Sequence, residues 1–182
     1  MSTLHGRLVA LLREKSVKTG EFRLASGKTS DVYVDARQTT LHAEGAWLVG
    51  RLVLERLRPE VQGIGGMTLG ADPIACAAAA LSFDQGRPVH AFLIRKEPKG
   101  HGTASQVEGT GNLPRGSKVA IVEDTTTTGG SLIRAARLAE EAGLEVVQCL
   151  TVVDREEGAA EAIAQAGWRL EALTTRSELL GA

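Results

Sequence analysis

The chain has 182 residues, with 21 Lys+Arg against 22 Asp+Glu and a formal charge of −1, so it lacks the basic excess of a dedicated nucleic-acid binder. A hydrophobic fraction of 43% beside 24% charged residues excludes wholesale disorder, and a chain of this length buries about 70% of its unfolded surface, which predicts one domain over 1–182. Aromatics make up only 3%, leaving the core to Ala, Val, Leu and Ile.

Leu4, Leu8, Leu11 and Leu12 stand at helical spacing and predict an amphipathic helix that stops near Gly20. Residues 22–24 and 32–34 alternate with period two around Ser26, Gly27 and Lys28, a hairpin pattern. Ala46, Trp47, Val49, Leu52, Val53 and Leu57 give a second helix over 42–57, ended before Pro59. A rhythm then sets in. A strand over 61–66 runs into a glycine-rich turn and an alanine-rich helix over 73–83. Strands follow over 89–94 and 118–122, then helix 131–142, strand 145–153, helix 158–166 and a last strand over 169–173. Val- and Ile-rich strands separated by helices predict an α/β fold with a central, mostly parallel sheet covered on both faces. Only 96–115 breaks the rhythm, and it reads as a long structureless loop of the kind that is either functional or disordered.

Cys76 and Cys149 both lie in apolar stretches and read as buried small hydrophobes of a reducing compartment. No CxxC occurs and the four histidines are scattered, so no zinc site is expected. The longest apolar run, 73–83, falls far short of the ~20 residues a membrane helix needs, and the N-terminus lacks the pattern of a signal peptide. The expectation is a soluble, cytoplasmic protein without membrane or nucleic-acid partners.

In an open parallel sheet, ligands bind at the carboxyl ends of strands, where helix N-termini offer free N–H groups to anions. Val119 to Val122 deliver Glu123 and Asp124, then Thr125, Thr126, Thr127, Thr128, Gly129, Gly130 and Ser131 open a helix. Hydroxyls and amide N–H groups can wrap the three oxygens of a phosphate. Acids beside such a cradle would repel phosphate, so they serve sugar hydroxyls or a hydrated Mg²⁺. Phosphate plus vicinal diol describes a ribose phosphate. A threonine-rich connection that merely caps a helix is the plain alternative. Neither a P-loop GxxxxGK[ST] nor a GxGxxG fingerprint is present.

The run Val122-Glu123-Asp124, four threonines and Gly129-Gly130-Ser131 resembles the phosphoribosyl-diphosphate (PRPP) signature of type I phosphoribosyltransferases. Arg95-Lys96-Glu97-Pro98-Lys99-Gly100-His101-Gly102 resembles the mobile loop of the orotate phosphoribosyltransferase family, and the hairpin and Asp154-Arg155 are similar to other parts of it. The resemblance covers nearly the whole chain. It implies the type I fold with an N-terminal hood of helix and hairpin. It also implies transfer of phosphoribosyl from PRPP to orotate in pyrimidine synthesis. Glu123 and Asp124 would then hold the ribose hydroxyls, with Asp124 near the Mg²⁺ that PRPP carries, and Thr125 to Ser131 would wrap the 5-phosphate. Arg95, Lys96, Lys99 and His101 would face the diphosphate, Lys99, His101 and Asp124 being catalytic, while Thr127 and Arg155 would hold orotate. A homodimer sharing its active sites is implied as well.

Physical chemistry points the same way. Displacing diphosphate from an anomeric carbon builds negative charge on the leaving group, which asks for cations and a proton donor there. A planar carboxylate suits a bidentate arginine such as Arg155. Two departures stand out: Ala25 occupies a position where many relatives carry lysine, with Lys28 nearby, and 65–71 has no lysine. A purine-base enzyme would not need the Lys99–His101 loop or Arg155. A nucleic-acid-binding regulator on the same fold would need a further ~60 residues or a basic face.

Overall fold

The computed structural model describes residues 3–23, 29–98 and 106–181. Helix α1 (Leu4–Lys15) starts at Thr3, whose hydroxyl accepts the Gly6 N–H at 3.1 Å, and buries Leu8, Val9, Leu11 and Leu12. It ends earlier than the leucine pattern suggests. β-Branched Val17 and Thr19 belong instead to strand β1 (Val17–Arg23), which pairs antiparallel with β2 (Thr29–Val34) from Val17 opposite Val34. A buried hydroxyl contact, Ser16 Oγ to Thr39 Oγ1 at 2.7 Å, fixes this corner against the one-turn α2 (Arg37–Thr40). The hairpin turn with Ala25, Ser26, Gly27 and Lys28 lies outside the described residues.

Helix α3 (Ala43–Arg56) then leads into the βα alternation: β3 (Gly63–Met67), α4 (Ala71–Asp84), β4 (His90–Ile94), β5 (Val107–Glu108), β6 (Lys118–Thr126), α5 (Gly130–Glu141), β7 (Glu145–Asp154), α6 (Ala159–Gln165), β8 (Leu170–Thr175) and α7 (Arg176–Leu180). The main sheet has the order β5-β4-β3-β6-β7-β8, parallel throughout except for β5 at one edge. The far part of 96–115 is therefore not structureless. Val107 pairs with Ile94, a 3₁₀ turn spans Thr110–Asn112, and both Val107 and Leu113 are buried. Two isolated apolar residues carry no periodicity, which is why the pattern hides them.

Alternation along β6 divides the core. Ala120 and Val122 join α1, α3 and α4 on one face, while Val119 and Ile121 join α5 and α6 on the other. Cys149 is buried on the second side, and burial pushes its thiol up to about 12. Cys76 departs from expectation: it is exposed, on the outer side of α4 next to buried Ala75. Among the described residues, no helix is long and apolar enough to cross a membrane.

The strand order positions the site. β3 and β6 are adjacent and parallel, yet α4, which follows β3, packs on one face and α5, which follows β6, on the other. The chain leaves neighbouring strand ends in opposite directions and opens a crevice between them, the switch point at which such sheets bind ligands.

Candidate active site

One wall of the crevice is β6 and the turn after it. The strand runs further than its apolar residues suggest, carrying Glu123, Asp124, Thr125 and Thr126 as strand residues before Thr127–Gly129 turn into α5. Gly129 makes that turn at φ +82°, and a Cβ there would also stand 3.1 Å from Ile163. The opposite wall is the turn 68–70 after β3, whose Thr68–Leu69 peptide is cis. A Cβ on Gly70 would lie 2.4 Å from Asp124 Oδ1, so only a bare backbone lets the two walls close this far.

The hood forms the third wall. Tyr33, Val34, Asp35 and Arg37 join Met67–Gly70, Lys96, Glu123–Thr125 and Ser131 around a cleft of about 270 Å³. The Tyr33 ring is backed by Phe22, with centroids 5.6 Å apart at an interplanar angle of 34°. Arg37 Nε donates to Asp35 Oδ1 at 2.9 Å and stands 3.9 Å from Asp124 Oδ2. Its guanidinium is thereby held above its ordinary pKa, chiefly by the Asp35 hydrogen bond.

Burial governs the two acids. It pushes the Glu123 carboxyl up to about 7, with the Asp124 charge adding to it and the Ser131 and Thr126 hydroxyls opposing. Burial raises Asp124 as well, against the Thr125 N–H and the Arg37 charge. Such a pair favours hydroxyl groups or a cation and rejects a bare anion. Beside it, Thr125 Oγ1 is buried without a hydrogen-bond partner among the described residues, a donor ready for an acceptor. No cluster of three or more His, Cys, Asp or Glu that could cage a metal occurs among the described residues. The donor set fits an ion that arrives with most of its own ligands.

The structure gathers Lys96, Glu123, Asp124, Thr125 and Ser131 around the cleft. Thr126 is buried and donates to Glu123 Oε2 at 3.3 Å, while Thr128, Gly130 and Ser131 are exposed around the turn. Arg95 forms an ion pair with Glu108 at 3.2 Å and borders a neighbouring groove that Lys96 shares. Arg134 Nη2 and Gln106 Nε2 both donate to the Lys96 carbonyl, at 2.7 and 3.3 Å, and hold the base of the basic loop. Arg155 sits at the end of β7, bonded through its N–H to Thr126 O at 3.0 Å, with its guanidinium 2.9 Å from Glu157 Oε1. Lys99 and His101 lie outside the described residues. Sequence reasoning missed Tyr33, Asp35 and Arg37 as wall residues; the only signal was a polar Asp-Ala-Arg directly after an apolar strand.

The phosphoribosyl transferase domain family model matches residues 76–166, from α4 to the end of α6. Over nearly the full chain, the sequence is 42% identical across 179 residues to an orotate phosphoribosyltransferase of Nostoc sp., covering 98% of this chain and 86% of that one. The chain belongs to the orotate phosphoribosyltransferase family. Among solved structures it resembles the Mycobacterium tuberculosis H37Rv orotate phosphoribosyltransferase in complex with Fe(III) dicitrate, with a TM-score of 0.84 and 40% identity over 97% of this chain and 99% of that one. The structure of the M. tuberculosis enzyme in complex with PRPP matches with a TM-score of 0.78 at 36% identity, again over 97% and 99%. The type I fold and the hood of helix and hairpin thus agree with the family.

Proposed function

We propose that this orotate phosphoribosyltransferase family member works at the cleft between β3, β6 and the hood, transferring phosphoribosyl from PRPP to orotate. The products are orotidine 5′-monophosphate and diphosphate, and the whole of 1–182 serves as one phosphoribosyltransferase domain. The observation that carries the siting is a half-buried acid pair adjoining a hydroxyl- and N–H-rich turn at the switch point. Glu123 and Asp124 take the ribose hydroxyls; Thr125 to Ser131 take the 5-phosphate, which the unpartnered Thr125 hydroxyl favours.

In the reaction the bond from the anomeric carbon to diphosphate breaks and a bond from that carbon to a ring nitrogen of orotate forms. Positive charge grows on the sugar, where the Asp124 carboxylate opposes it, and negative charge grows on the leaving group. Arg95, Lys96, Lys99 and His101 meet that negative charge, and the imidazole of His101 is a residue type able to hand over a proton. Thr127 and Arg155 hold orotate. Beside its ion pair with Glu157, the nearly buried Arg155 side chain keeps Nε without a hydrogen-bond partner among the described residues, which supports that role. Mg²⁺ carried on PRPP would neutralise diphosphate charge, with Asp124 and Glu123 as the nearby acids. The exposed Leu41 and Leu69, which flank a groove beside the cleft with Pro73 and Cys76, favour a homodimer that completes the site. The setting is cytoplasmic.

The test follows orotate absorbance with PRPP and Mg²⁺, with adenine, hypoxanthine and uracil assayed in parallel by product separation. Turnover of orotate alone is expected. Turnover of a purine, or PRPP binding with no turnover of any base, would refute the reading.

A further inference from the structure

The loop after β3, Gly65-Gly66-Met67-Thr68-Leu69-Gly70-Ala71, walls the cleft with Met67 to Gly70 yet contains no cation. Its wall of the cleft offers backbone and one hydroxyl. The hood wall supplies what is missing. Arg37 lines the cleft together with Thr68, Leu69 and Gly70, and it stands 3.9 Å from Asp124 Oδ2. Arg37 also borders the adjoining groove with Leu69, Asp72 and Pro73, a groove that Thr125 and Ser131 do not line, so it stands toward the β3 turn and away from the 5-phosphate cradle.

The guanidinium is also available. Asp35 engages Arg37 through Nε alone, and among the described residues neither Nη atom makes a hydrogen bond. The side chain is 45% exposed, so it is open to a ligand from the cleft. Asp35 itself is largely shielded, and it is held by Gln38 Nε2 as well, at 3.2 Å. It keeps the arginine stem in place while leaving the two-pronged edge for a bidentate acceptor.

We infer that Arg37, carried by the hood, is a diphosphate ligand of this site and replaces the fixed positive charge that the β3 turn lacks. This rests on the proposed PRPP reading. It makes the hood part of the leaving-group subsite, so diphosphate recognition is split between the N-terminal segment and the basic loop that begins at Lys96.

Calorimetric titration of the full chain with PRPP, inorganic diphosphate and ribose 5-phosphate, each with Mg²⁺, tests the assignment. Arg37→Ala should weaken PRPP and diphosphate by about 30-fold, the scale of losing one partner of a close charge pair, while ribose 5-phosphate changes less than about twofold. Arg37→Lys, which keeps the charge without the fork, should recover part of the PRPP affinity. In steady state the Arg37→Ala variant should raise the KM for PRPP and leave that for orotate nearly unchanged. Unaltered PRPP affinity overturns the inference. Equal losses for PRPP and ribose 5-phosphate also overturn it, because they would mean that Arg37 acts by holding Asp124. A wild-type chain that binds no PRPP at all would instead refute the functional reading on which the inference depends.

Discussion

The cleft has two unlike sides. The β6–α5 side is made of thirteen consecutive residues from Val119 to Ser131, a buried strand that carries a half-buried acid pair into a backbone turn. The hood wall, Tyr33 to Arg37, comes from a segment roughly eighty positions earlier and presents the half-exposed Arg37. The first side holds acids whose pKa values burial has raised. The second holds an ion pair whose arginine is open to water and whose aspartate is shielded. A site for a flexible polyanion gains from this division: one side fixes the sugar, and the other adapts to a leaving group whose charge changes during the reaction.

The sharpest way to break that contrast is to neutralise the fixed side. Asp124→Asn should cost about 10³-fold in kcat/KM for orotate turnover, because a preorganised charge at a developing cation is lost. Its melting temperature should not fall, since a desolvated carboxylate has been removed. Gly70→Ala attacks the same side through geometry. Its new Cβ would stand 2.4 Å from Asp124 Oδ1, so the carboxylate must shift by roughly 1 Å, a displacement worth about 10²-fold in rate. A Gly70→Ala enzyme with full activity would show that Asp124 is less tightly held than the packing indicates.

Glu123 gives a pH signature. Its folded-state pKa of about 7 lies above the ordinary 4.5, so the folded chain holds this proton more tightly than the unfolded one. That stabilisation is complete below pH 4.5 and is lost as the pH rises through 7, about 3 kcal/mol in all. Glu123→Gln cannot lose it. Melting temperatures measured from pH 5 to 8 should fall less steeply for the variant than for the wild type, and parallel curves would contradict the burial argument.

The hood ion pair should matter least to stability. Burial alone would raise the Asp35 carboxyl, but hydrogen bonds from Arg37 and Gln38 outweigh it and hold the group below its ordinary 3.8. Its contribution is therefore present above pH 3.8 and disappears below it. With Arg37 45% exposed, Asp35→Asn should lower stability in urea titrations by only about 0.5–1 kcal/mol at pH 7. A loss of several kcal/mol would make the hood as rigid as the cradle.

The same contrast explains what the sequence disclosed. The cradle was legible because its acids, hydroxyls and glycines are contiguous and follow an apolar strand, and the βα rhythm placed them at a strand end. Arg37 was not, because nothing in the order of residues says that a one-turn helix near the N-terminus faces a turn thirty residues later. The end of α1 was misplaced for a related reason: Val17 to Gly20 obey helical and strand spacing equally well, and only pairing with Val34 decides between them. Strand β5 escaped because two residues are too few for a period.

Tyr33 is the single tyrosine of the chain, and its ring lines the cleft against Phe22. Biosynthetic labelling with fluorotyrosine would therefore yield one ¹⁹F resonance per subunit, located where substrate enters. The protein carries its own spectroscopic probe, and successive ligands could be followed by one line without altering any other residue.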